Sequence, residues 1–175
     1  MKRACWAAVA CAEAPPLRLV VADSAQNVAA ARAIFEEYAA SLPIDLGFQQ
    51  FDAELAALPG EYAAPHGQLL LAQTAAGATV ACGALRPLFD CDYANACEMK
   101  RLYVRPAFRS FGLGRLLAQT LLDEARRAGY SVMLLDTLDE MEAARNLYAT
   151  LGFVEIPAYY YSPVPGAHYL KAELA

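Results

Sequence analysis

At Gln68 the apolar pattern changes period, and that change constrains the fold more than any other feature of the chain. Before it, Val28, Ala31, Ile34, Phe35 and Tyr38 recur at helical spacing. After it, "QLLLAQT" and "ATVACGAL" flank "AAG" and read as a β-hairpin. "CEMKRLYV" is a further strand. "LLAQTLLDEARRAGY" then returns to helix, with Leu113, Leu116, Leu117 and Leu121 on one face. "SVMLLDT" is almost continuously apolar, which suits a strand buried on both faces. A chain that mixes hairpins with crossover helices builds an α/β domain around one mixed sheet.

The remaining segments fill in the order β-α-α-β-β-β-α-β-α-β-β. Leu17 to Ala22 reads as a first strand, and Ser24 as the cap of a helix from Ala25 to Ala40. "SLPIDLGFQQ" is a loop interrupted by Pro43 and Gly47, and "FDAELAAL" a short second helix. "RPLFDCDYANA" is expected to be a connecting loop. Arg126 and Arg127 fall in the last turn of the third helix, where its dipole favours cations, and Gly129 follows as its C′ residue. "TLDE" offers a capping box, Thr137 with Glu140, for a helix running to Leu151. "GFVEI" and "AHYLKAEL" are the final strands.

The 175 residues divide into an N-terminal extension, 1–16, ending at Pro15-Pro16, and one domain, 17–175. Apolar residues make up 58% and charged residues 19%, enough for a sizeable core. A net charge of −5 argues against a nucleic-acid binder, whose phosphate contacts need a basic surface. The start, "MKRACWAAVACAEAPP", has two basic residues before a short apolar run, as a signal peptide does. The run is shorter than the ~20 residues that span a bilayer. The expectation is a cytoplasmic protein without a membrane partner. The five cysteines form no CxxC pair and their number is odd, which fits a reducing compartment, with Cys82 as a small core residue. His66 and His168 fit no metal-ligand spacing, and Cys91 and Cys97 merely bracket "DYANA", so no metal is expected.

The chemistry concentrates in "VRPAFRSFGLG", where a strand becomes a helix. A Walker loop would end in Gly-Lys-Ser/Thr, and a dinucleotide fingerprint would place a third glycine where Leu117 stands. Neither fits. A helix start with spare backbone N–H groups from Ser110 to Gly114, flanked by Arg109 and Arg115, is nonetheless an anion site.

This stretch resembles the R/Q-x-x-G-x-G/A signature of the GCN5-related N-acetyltransferases, and Ala144 to Phe153 resembles that family's "A-x-x-L-Y-x-x-x-G-F". The element order matches from Leu17 to Leu174. The resemblance implies a mixed, mostly antiparallel sheet of about seven strands, flanked by helices, with splayed fourth and fifth strands. It implies acetyl-CoA as cosubstrate, its pyrophosphate on Arg109, Ser110, Phe111, Gly112, Leu113, Gly114 and Arg115. Its pantetheine would pair with backbone groups of Leu102, Tyr103 and Val104. Three positions depart from the pattern: Ser110 replaces a glycine, Phe111 a polar residue, and Met141 an asparagine.

The resemblance further makes Tyr148 the general acid, a residue that helical spacing alone would place in the core. It puts Glu98 where the histone-acetylating branch carries its base. By alternation Glu98 shares a face with Lys100, Leu102 and Val104 unless a bulge intervenes. Its other reading is a salt bridge to Lys100 or Arg101. Asp136 is a rival base or an ammonium anchor, and water a third route. Tyr159, Tyr160 and Tyr161 suit a wall of the amine site, a homodimer contact or plain packing. The implied activity is transfer of acetyl to a primary amine of a small molecule, by direct attack in a ternary complex. A non-catalytic acyl-CoA sensor and a protein N-acetyltransferase are the alternatives.

Overall fold

A computed structural model describes residues 16–174. The N-terminal extension up to residue 15, with Cys5, Cys11 and the signal-like run, lies outside the described residues. The strands are β1 (Leu17–Val21), β2 (Gln68–Thr74), β3 (Thr79–Leu88), β4 (Ala96–Val104), β5 (Val132–Leu138), β6 (Val154–Ile156) and β7 (Ala167–Glu173). The helices are α1 (Ala25–Ser41), α2 (Phe51–Ala57), α3 (Leu113–Arg127) and α4 (Glu142–Thr150). Ser24 caps α1 by accepting from the Asn27 N–H at 3.2 Å. The strands form one sheet in the order β1-β2-β3-β4-β5-β7-β6, antiparallel except for β4 with β5.

The sheet separates two cores. Ile34 and Phe35 of α1 and Phe51 and Leu55 of α2 pack on one face. Leu113, Leu117, Leu121 and Leu122 of α3, with Tyr148 of α4, pack on the other. Burying each leucine contributes roughly 1.5–3 kcal/mol. Leu116 lies off that face and is half exposed, because it stands a quarter-turn away from the stripe that Leu113, Leu117 and Leu121 define.

Three local expectations are corrected. First, β3 continues through Arg86, Pro87 and Leu88 instead of ending in a loop. A proline is tolerated there because β2 stops at Gln68, opposite Leu85, so the other edge of β3 has lost its partner. Second, Thr137 and Leu138 belong to β5, and α4 begins at Glu142 with no side-chain cap. Pairing of Thr137 with His168 of β7 extends the strand through the would-be capping box.

The third correction concerns β4. Its register with β3 slips between Cys82 and Ala84, and Arg101 has φ +58°. This is a bulge: Gly83 faces two residues, Arg101 and Leu102. A Cβ on Gly83 would meet Leu121 at 3.0 Å and Leu102 at 3.3 Å, so the bulge and α3 close over a glycine. Side chains change face here. Glu98, Lys100, Arg101 and Tyr103 look toward α1 and α2, whereas Leu102 and Val104 look toward α3.

Candidate active site

Two strand edges part at the centre of the sheet. Parallel pairing of β4 with β5 runs from Ala96–Val132 to Glu98–Leu134 and then stops. Beyond it β4 remains paired to β3 as far as Val104, and β5 to β7 as far as Leu138. The edges that face each other, Met99 to Val104 and Leu135 to Leu138, therefore present backbone donors and acceptors without a strand between them. An extended molecule bearing amides fits such a gap. Thr137 lies on this wall, and its buried Oγ1 has no partner among the described residues. A buried hydroxyl left unpaired costs about 1–3 kcal/mol, so it too suits a ligand.

The glycine-bearing loop stands at the open end of the gap. Gly112, at φ +75°, is the N-cap of α3, and no side chain caps the helix. The N–H groups of Gly112, Leu113, Gly114 and Arg115 thus lack helical partners and face outward at the positive end of the dipole. Ser110 adopts φ +73°, a conformation that glycine takes at lower cost. Arg109 Nε donates to the Val104 carbonyl at 3.0 Å, tying the loop to the end of β4. Arg115 donates to Thr150 Oγ1 at 2.6 Å. Gly114 lies against Leu147 and Val104, which brings α3, α4 and β4 together at one point. Phe111 is partly exposed beside them. The loop's anions would be bound chiefly by backbone, with two arginines at its margins.

On the α1/α2 face the floor of the gap is ionic. Arg86 donates to Glu98 Oε2 from Nε at 2.9 Å, and its second nitrogen reaches the same atom at 2.8 Å. Tyr159 Oη donates to Glu98 Oε1 at 2.8 Å. Lys100 Nζ lies 3.6 Å from that oxygen and 3.3 Å from Asp136 Oδ1. Tyr160 Oη donates to Asp136 Oδ2 at 3.0 Å. Arg101 holds Glu54 through two nitrogens, at 2.9 and 2.5 Å, and donates to Gln49 Oε1 at 2.9 Å. Burial pushes the Asp136 carboxyl up, but the charge of Lys100 and the hydrogen bond from Tyr160 outweigh it and hold the group below 3.8. Glu98 thus sits in an ion pair, with Lys100 as expected but above all with Arg86. Sequence reasoning missed Arg86 because it assigned that residue to a loop.

A small cleft of about 50 Å³, open to solvent, lies over this floor. Lys100, Arg101, Asp136 and Thr137 line its polar side, and Leu42, Ile44, Leu46, Phe48 and Val164 its apolar side. The β6–β7 loop closes one end: Tyr159, Tyr160 and Tyr169 stack edge-to-face, each pair 5.3 Å apart. Tyr161, the third of the tyrosine run, is exposed instead.

Tyr148 projects from α4 into the core beside the gap and packs edge-on to Phe153 at 5.6 Å. No hydrogen-bond partner for its hydroxyl occurs among the described residues. Burial raises its pKa well above 10, and the nearby Tyr38 and Asp136 push it the same way. The phenol keeps its proton. Cys82 and Cys97 are buried and unbonded to one another, and Cys91 is free. Among the described residues no group of three metal-ligating side chains is arranged to hold an ion, and no helix is long and apolar enough to cross a membrane.

Residues 28–153 match the family described as acetyltransferase (GNAT) family. An uncharacterised N-acetyltransferase of Schizosaccharomyces pombe is 39% identical over 142 residues, covering 81% of this chain and 85% of the relative. An acetyltransferase of the same family from Staphylococcus aureus superposes with a TM-score of 0.74 at 16% identity, over 91% of this chain and all of that one. A putative acetyltransferase of Salmonella typhimurium, solved with its cofactor acetyl-CoA, superposes with a TM-score of 0.63 at 23% identity, over 91% of this chain and 95% of that one.

Proposed function

The chain belongs to the GNAT family of acetyltransferases, and on that premise we propose that it moves an acetyl group from acetyl-CoA to the primary amine of a small molecule, by direct attack in a ternary complex. The observation that carries this reading is the coincidence of three features. The sheet parts between β4 and β5, an uncapped helix N-terminus stands at the mouth of the parting, and a protonated tyrosine lies beside it.

Acetyl-CoA supplies a thioester whose carbonyl carbon accepts the amine nitrogen while the carbon–sulfur bond breaks. The N–H groups from Ser110 to Arg115 hold its pyrophosphate, with Arg109 and Arg115 beside them. The open edges of Leu102, Tyr103 and Val104 and of Leu135 to Leu138 take its amides, and the Thr137 hydroxyl gains a partner there. The asparagine that Met141 replaces is thereby compensated. Tyr148 donates its phenolic proton to the departing sulfur.

The amine enters over the floor formed by Lys100, Arg101 and Asp136. All four acceptor positions of Glu98 face Arg86, Tyr159 or Lys100, and Asp136 is held ionised. Glu98 in this proposal keeps Arg86 and Lys100 in place. The amine loses its proton to solvent at the cleft mouth, with Asp136 as the carboxylate that an arriving ammonium meets first. A cytoplasmic location follows from the cosubstrate, a cytoplasmic metabolite.

Screening an amine library with acetyl-CoA while detecting free CoA tests the activity. Release of CoA with at least one small amine is the expected result. Tight CoA binding without turnover on any amine would make the chain a sensor of acyl-CoA instead.

A further inference from the structure

We infer that the acceptor is an elongated primary amine whose uncharged, hydrogen-bonding body lies in a second cavity behind Gln49, and that Gln49 sets how long an acceptor can be. The inference rests on the acetyltransferase reading and adds the shape and chemistry of the acceptor.

The cleft over Lys100, Arg101 and Asp136 holds only about 50 Å³. A water needs roughly 10–15 Å³, so the cleft admits an amino group and a few further atoms. Small-molecule sites run from roughly 300 to 1,000 Å³. The room lies next door. A cavity of about 480 Å³ opens between α2, the turn Gly60–Tyr62 and Arg86 of β3. Phe48 and Gln49 line both spaces and are the wall they share.

Gln49 is a wall that can open. It ends the short turn Gly47–Gln49, and Gln50 follows at φ +56°. Its amide oxygen accepts from Arg101 at 2.9 Å, and its nitrogen donates to Tyr160 Oη at 3.2 Å. Among the described residues, that second bond is the one side-chain hydrogen bond between residues 42–62 and the β6–β7 loop. Tyr160 keeps its own bond to Asp136 when Gln49 leaves it. Opening therefore costs one long hydrogen bond between neutral groups. An acceptor can then hold its amine over Asp136 and its body in the larger cavity.

The lining specifies that body. Glu54 is held by Arg101 and Tyr62, and Arg86 bridges Glu61 and Glu98. Each charge on these walls has its counter-charge, so a charged body would find no unpaired partner there. The side-chain amide of Gln50 lines the same cavity and makes no hydrogen bond among the described residues. A bare hydrocarbon would take water from Gln50, Glu54 and Arg86 and return no hydrogen bond. An uncharged chain with donors or acceptors returns them. Ala53 and Ala57 of α2 leave the space it occupies.

The test measures kcat/KM on the full-length protein for two ladders of amines. One is 2-methoxyethylamine and its longer oligo(ethylene glycol) homologues, the other n-alkylamines of matching length. Rates are expressed per concentration of free base, so that differing amine basicity cancels. The wild type is expected to use the longest ethylene glycol amine about ten-fold or more better than 2-methoxyethylamine, and better than the alkylamine of its own length. Ala53→Trp fills the cavity and is expected to cut that long-to-short ratio about ten-fold, whatever the overall activity. Gln49→Ala thins the wall and is expected to raise the ratio. A wild-type rate that stays flat or falls along the ethylene glycol ladder would overturn the inference while leaving the acetyltransferase standing. So would a ratio unmoved by Ala53→Trp, or one that Gln49→Ala leaves unchanged or lowers. Should Ala53→Trp fail to fold, Ala57→Trp fills the same cavity from the next turn of α2. Absence of turnover with every amine overturns both readings, and calorimetry with CoA then shows whether cofactor binding survives.

Discussion

Arg86 of β3 lies directly opposite Glu98 of β4, and its Nε and second nitrogen grip one carboxylate oxygen at 2.9 and 2.8 Å. This pair decides what Glu98 does. Its side chain is 2% exposed, so removing its charge strands a largely buried guanidinium whose remaining partner is the exposed Glu61. Glu98→Gln is expected to cost about 3 kcal/mol of stability in urea titration. The inflection of kcat/KM against pH should stay at the pKa of the acceptor amine. Movement of that inflection in the variant would make Glu98 the general base.

Tyr148→Phe removes a hydroxyl that has no partner among the described residues and keeps the ring against Phe153. Packing is retained, so the melting temperature and CoA affinity should stay close to wild type. Loss of a general acid lowers kcat by on the order of 10²–10⁴. A variant as fast as wild type would assign the proton to another donor.

Thr137→Val separates ligand from scaffold by opposite signs. Without ligand the substitution removes a buried unpaired hydroxyl and should raise the melting temperature. With CoA the lost hydrogen bond should weaken affinity about five-fold, roughly 1 kcal/mol. Calorimetry showing unaltered affinity would remove Thr137 from the cofactor's contacts.

Arg109→Ala with Gly112→Asp attacks the loop twice. The first frees the loop from Val104, and the second places a carboxylate and a Cβ at φ +75° among the helix-terminal N–H groups. CoA affinity should fall more than ten-fold. An unchanged dissociation constant would place the pyrophosphate elsewhere.

His168 tests the pH dependence of stability. Both ring nitrogens face carboxylates, Nε2 to Asp139 at 2.5 Å and Nδ1 to Glu155 at 2.7 Å, so both donate when the ring is protonated. The hydrogen bond to Asp139 and then that to Glu155 raise its pKa above 6.5, and the bond from His168 lowers Asp139 below 3.8. A raised histidine contributes stability that is fully present below 6.5 and disappears as pH rises through its folded pKa. A lowered carboxylate contributes above 3.8 and loses its effect on acidification. The melting-temperature difference between wild type and His168→Gln should therefore be largest between about pH 4 and 6.5 and shrink on either side. A difference that grows above neutrality would contradict this assignment.

Local chemistry was enough for most elements. The helical stripe of Leu113, Leu117 and Leu121, the Ser24 cap, the turn at "AAG" and the glycine-bearing start of α3 each depend on neighbours within a few positions, so the sequence alone determined them, together with the α/β class and the anion-binding loop. What the tertiary structure decided depends on partners far along the chain. The partner of Glu98 is Arg86, reached only because β3 runs on through Pro87 once β2 has ended. The faces on which Arg101, Leu102 and Val104 appear depend on a bulge opposite Gly83, and a single inserted residue reverses the parity of everything beyond it. Thr137 is a strand residue and not a cap because β7 pairs with it across more than thirty positions of chain. Backbone hydrogen bonds between distant strands outweigh local capping preference, since each buried backbone group left unpaired costs as much as the cap contributes.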